Sequence, residues 1–85
     1  MASTLSWEGL KLETPATYRI RVQGRLDKNW SDRLGGMAIT GTTRDNLPVT
    51  FLIGHLTDQA ALSGVLNTLY ELHLPLLSVE NLDET

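Results

Sequence analysis

From Thr17 the chain alternates strictly, with Tyr18, Ile20, Val22, Gly24 and Leu26 facing one way and Arg19, Arg21, Gln23 and Arg25 the other. A period of two predicts a strand with one face buried and one face in water. The alternation stops at Leu26. Trp30 and Leu34, four apart behind Asp27 as a cap, predict one or two helical turns that Gly35-Gly36 ends. Met37 to Thr43 is small and β-branched, a second strand with Met37, Ile39 and Gly41 on one face. Thr43-Arg44-Asp45-Asn46-Leu47 supplies turn chemistry, and Pro48 opens a third strand, Val49 to Leu56, that is apolar on both faces. Such a strand lies inside a sheet or has its second face covered by a partner. Thr57 or Asp58 then caps a helix whose Leu62, Val65, Leu66, Leu69 and Leu72 recur at steps of three and four. Pro75 ends it, and Leu76 to Glu80 is the last strand.

The order βαββαβ predicts a ferredoxin-like α+β two-layer sandwich with a short first helix and with the first and third strands central. If residues 27–34 form only a loop, the order falls back to βββαβ on one sheet. Residues 17–80 make one domain. Residues 1–16 are an N-terminal arm that lays Trp7 on its own domain or on a partner, and residues 81–85 are an acidic tail.

Composition narrows the function classes. Eighty-five residues with 41% hydrophobic and 20% charged side chains suit one folded domain and exclude a disordered chain. There is no cysteine, which excludes a disulfide framework, a thiol nucleophile and a thiolate metal site. The start lacks the basic and apolar pattern of a secretory leader, and no run is long enough to span a membrane, so a soluble, cytoplasmic protein is expected. The net charge of −3 hides a split. Residues 1–44 hold all seven basic side chains and four acids, whereas residues 45–85 hold six acids and no Lys or Arg. The basic half centres on the first strand, a polarity that suits pairing with a second copy better than binding a polyanion.

Arg19, Arg21 and Arg25 should form a stripe on the sheet face away from the helix, with Glu80 of the last strand as a cross-strand partner. An arginine stripe invites comparison with RNA-binding sheets, but those stack bases on outward aromatic rings, and Tyr18 belongs to the inward set. Leu52 and Leu56 are expected on the same open face, wanting burial by a partner. The segment Gly24, Asp27, Trp30 would be a ligand loop if the domain resembled the amino-acid-binding ACT domains, which share the element order. His55 and Asp58 meet at a strand-to-helix junction, but no nucleophile, metal or phosphate motif accompanies them, so no catalytic residue, metal or cofactor is assigned. His73 suits the negative end of the helix dipole. Gly64 suggests a close approach of the helix to its own sheet.

Three segments carry a family resemblance: Gly24 to Trp30 as G-x-L-D-x-x-W, Gly54 to Leu66 around Asp58-Gln59-Ala60-Ala61-Leu62, and Leu74 to Val79. Over residues 17–80 the chain resembles a group of small uncharacterised bacterial proteins, and departs from it at Leu34-Gly35-Gly36, where the group often has an aromatic pair. The resemblance implies a fold and no activity. The expected function is therefore a non-catalytic module that self-associates as a dimer or docks on a larger protein, with an amino-acid-type sensor or a small enzyme subunit as alternatives.

Overall fold

The structure is a computed structural model and describes residues 15–83, so the arm with Trp7 lies outside the described residues. Four strands and two helical segments follow in the order β1 (Ala16–Gln23), a 3₁₀ helix (Lys28–Arg33), β2 (Ala38–Arg44), β3 (Leu47–Leu56), α1 (Gln59–Glu71) and β4 (Leu76–Asn81). The strands form one antiparallel sheet in the order β2-β3-β1-β4, with β1 and β3 central. The chain is thus mixed α+β, with one α-helix on a four-stranded sheet.

Cα partners across neighbouring strands share a face, so the register places every side chain. Ile20 pairs with Leu52, and Leu52 with Ile39. These three, with Tyr18 and Val22, form the inward face and pack against Leu62, Val65, Leu66 and Leu69 of α1. Leu34 and Met37 join the same core, so both crossovers cover one side of the sheet. Gly54 makes room for Met37, whose Cα and Cγ would lie 3.0 Å from a β-carbon at that position.

Asp58 caps α1, its Oδ1 accepting from Ala61 N at 2.7 Å. The helix ends before Pro75. His73 takes a left-handed φ of 60°, His73 N donates to Tyr70 O at 3.0 Å, and Leu74 N to Leu69 O at 3.2 Å. That pair of bonds is a Schellman stop, with histidine where glycine is usual. The expected turns at 27–34 are a 3₁₀ helix, with Asp27 Oδ1 accepting from Asn29 N at 2.8 Å. Gly64 corrects an expectation: a β-carbon there would meet nothing within 4 Å, so the helix is not pressed on the sheet at that point.

Candidate interaction face and groove

The side of the sheet that the described residues leave open carries Thr17, Arg19, Arg21 and Gln23 from β1. Their partners on β3 are His55, Ile53, Phe51 and Val49. Ala38, Thr40 and Thr42 of β2 flank these on one side, and Ser78 and Glu80 of β4 flank β1 on the other. At the centre Phe51 lies between Arg21 and Thr40, and Ile53, 37% exposed, between Arg19 and Ala38. Thr17 Oγ1 lies 3.4 Å from His55 Nδ1 at the rim.

Here the structure corrects the sequence reading. Leu52 and Leu56, expected on the open face, are 0% and 2% exposed and belong to the core, so the large apolar side chains at the centre of the open face are Phe51 and Ile53, with Val49 buried toward its hairpin end. Arg25 is not in the stripe. β1 ends at Gln23, and Gly24 takes a φ of 121° that turns the chain out of the strand, a conformation open to glycine. Arg19 and Arg21 remain. Nε and Nη2 of Arg19 each reach Glu80 Oε1 at 2.8 Å, and Nε of Arg21 donates to Ser78 Oγ at 2.8 Å. The hydrogen bond and charge of Arg19 hold the Glu80 carboxyl below its ordinary range, and the same contact raises the arginine. Arg19 is thus paired with a carboxylate and Arg21 with a neutral hydroxyl. Phe51 also puts one half-buried ring on the open face, where the alternation of β1 offers none.

The ligand-loop candidates divide. Gly24 and Asp27 come together with Arg25, Thr42, Val49 and Thr50 around a groove of about 550 Å³ at the hairpin end of the sheet. The loop is tied down there: Gly24 N donates to Pro48 O at 2.8 Å, and Thr50 Oγ1 to Gly24 O at 2.7 Å. Trp30 is not part of that groove. Its ring packs against the core, with the Arg33 guanidinium 5.3 Å from its centroid. The Asp58 carboxylate is engaged in the helix cap, and among the described residues no group of three or more His, Asp or Glu side chains is placed to hold a metal.

A second hollow of about 270 Å³, lined by Leu66, Leu69, Tyr70, Leu74, Pro75 and Leu76, lies where α1 hands over to β4. Tyr70 is 80% exposed beside it. The helical spacing gave no warning, because Tyr70 sits off the apolar stripe.

The family comparison agrees with the extent of this fold. A family model described as a domain of unknown function, DUF8691, matches residues 17–80. The chain belongs to the DUF8691 family. Its match begins one residue into β1 and ends one residue short of the end of β4, so the DUF8691 unit is the sheet with its crossovers. No curated protein and no solved structure matches the chain. Among the described residues of this DUF8691 domain, no helix is long and apolar enough to cross a membrane.

Proposed function

We propose that this domain is a non-catalytic module that works by assembly through its sheet, self-associating as a homo-oligomer and presenting its open face to a larger protein. The observation that carries the reading is the half-buried Phe51 and the exposed Ile53 at the centre of that face, with the described helical segments both against the other side. Apolar side chains in the middle of a sheet gain most from a second layer. The rim supports a protein partner over a polyanion, since Arg19 is neutralised by Glu80 and, among the described residues, the face offers the single half-buried ring of Phe51 for stacking. A cytoplasmic setting belongs to the same reading.

The arrangement reads as a reduced ferredoxin-like sandwich. The support is the central position of β1 and β3, the antiparallel pairing throughout, and two crossovers that each pass one strand. In this reading the first helix has shrunk to the 3₁₀ turn at Lys28–Arg33.

Light scattering on the chain at tens of micromolar tests the assembly. The expected mass is a multiple of 9.4 kDa. A monomer throughout that range overturns self-association.

A second reading rests on the groove that gathers Gly24, Arg25 and Asp27. One cation and one carboxylate on a loop fixed by backbone hydrogen bonds suit a small zwitterion, the amino-acid-type ligand of a sensor. A thermal-shift series of amino acids decides it, stabilisation by none of them removing the idea.

A further inference from the structure

The two edges of the sheet differ in a way that nothing among the described residues requires. β4 begins directly after Pro75, spans six residues, bulges at Leu77 between the pairs Arg21 with Ser78 and Val22 with Leu76, and carries Glu80. A neighbouring proline, a bulge and a charge are devices that stop an edge from pairing. β2 has neither of the first two. Its seven residues Ala38–Arg44 pair with β3 in unbroken register, contain no proline or acid, and place their one charge, Arg44, at the end.

Gly41 stands at the middle of this edge. Glycine weakens a strand and in general marks a bulge, a bend or the close approach of another backbone. The register at Gly41 is regular, its φ is not positive, and a β-carbon there would meet no atom within 4 Å. Among the described residues nothing packs on Gly41, so this edge carries no side chain at its midpoint that its own domain uses.

The hairpin decides which backbone groups are free. Asp45 and Asn46 have φ of 52° and 66°, the two-residue turn with both centres left-handed, closed by the pair Arg44 with Leu47. That closing pair exchanges both its hydrogen bonds, and the direction alternates from there along the strand. Arg44, Thr42, Thr40 and Ala38 therefore point their N–H and C=O at β3. Thr43, Gly41 and Ile39 point theirs outward.

From this we infer that β2 pairs antiparallel with β2 of a second copy about a two-fold axis at Gly41, joining two sheets into one of eight strands. The inference deepens the assembly reading above and rests on it. The axis at Gly41 overlaps all seven residues and uses every outward group: Gly41 meets the partner's Gly41, and Ile39 meets the partner's Thr43. Between them Thr40 stands opposite the partner's Thr42, a favourable cross-strand pair, and Arg44 opposite the partner's Ala38, so no like charges meet. The surface is complementary to itself, which is what a two-fold contact needs. The open faces of the two copies, each with its Phe51 and Ile53, become one continuous surface.

Paired lysines test the register. Thr40→Lys with Thr42→Lys sets lysine against lysine twice across the axis, whereas Thr40→Lys with Thr42→Glu sets lysine against glutamate twice. Both positions are exposed, so circular dichroism should report the native fold for each variant. The expected result by sedimentation is a wild-type dimer, a weakening of about tenfold or more for the double lysine, and wild-type or tighter pairing for the charge-swapped variant. A wild-type dimer that both variants leave unchanged overturns the edge pairing while self-association stands. A wild-type monomer overturns both.

Discussion

Leu52 and Ile53 are neighbours on β3 that face opposite sides of the sheet, so truncating each in turn measures which side is the interior. Leu52 is fully buried between Ile20 and Ile39. Leu52→Ala loses the transfer free energy of the removed carbons and leaves a cavity under α1, together about 3 kcal/mol within the usual 2–5 for such sites. Ile53 is 37% exposed and has no layer above it. Ile53→Ala removes a partly wet side chain and encloses no cavity, a loss of about 1 kcal/mol from partial burial at roughly 0.8 per methylene. For a domain of this size each kcal/mol moves Tm by about 4–8 °C. The expected falls are therefore roughly 12–24 °C for Leu52→Ala and about 4–8 °C for Ile53→Ala. Thermal and urea unfolding should be run on dilute protein, because association raises apparent stability with concentration. Equal losses, or a larger loss at Ile53, would refute the register that puts Leu52 with Ile20.

Three further outcomes follow from local geometry. His73 adopts a left-handed backbone at the end of α1 and is exposed, so His73→Gly should raise stability by about 1 kcal/mol in urea melts; a loss would contradict the Schellman stop. Gly54→Ala drives a β-carbon into Met37 and should cost about 1–3 kcal/mol, while Gly41→Ala, with open space beside it, should be neutral or slightly stabilising in the dilute monomer; equal effects would refute the close approach. The Glu80 carboxyl is depressed in the fold, so its contribution is complete above the ordinary carboxylate range and disappears as pH falls through the folded value. Arg19 stays charged across that window. Wild type should therefore exceed Glu80→Gln in stability at neutral pH, by a margin that salt reduces and acid abolishes; a gap that does not change with pH would mean the pair contributes nothing to it.

β1 and α1 were legible because their polar and apolar positions are cleanly segregated. Tyr18, Ile20 and Val22 face the core, as do Leu62, Val65, Leu66 and Leu69, and Asp58 is the cap. The path after Gln23 was not legible from alternation alone. The two-residue period runs on through Gly24 to Leu26, and only the left-handed backbone at Gly24 shows that the strand has ended and that Arg25 has left the stripe for the groove. The groove and the hollow beside Tyr70 bring together residues far apart in the chain, which no local pattern encodes.

β3 is the instructive failure. Its residues are apolar on both sides, so alternation carries no information about which side is inward, and it leaves Leu52 and Leu56 on the open face. The missing information lay one element away. A two-residue turn at Asp45-Asn46 closes on Arg44 with Leu47, and an antiparallel register keeps the sum of partner numbers constant along the hairpin. Counting back from that pair sets Ile39 opposite Leu52 and carries Met37 to the level of Gly54. Ile39 and Met37 share a face by their alternation with Ala38 and Thr40, and that face is the apolar one. Residues opposite each other share a face, so Leu52 had to be buried and Phe51 and Ile53 had to look outward. Turn length, rather than hydrophobicity, is what tells the open face of this sheet from its core face, and the same count marks Gly41 as an outward-bonding position of the β2 edge.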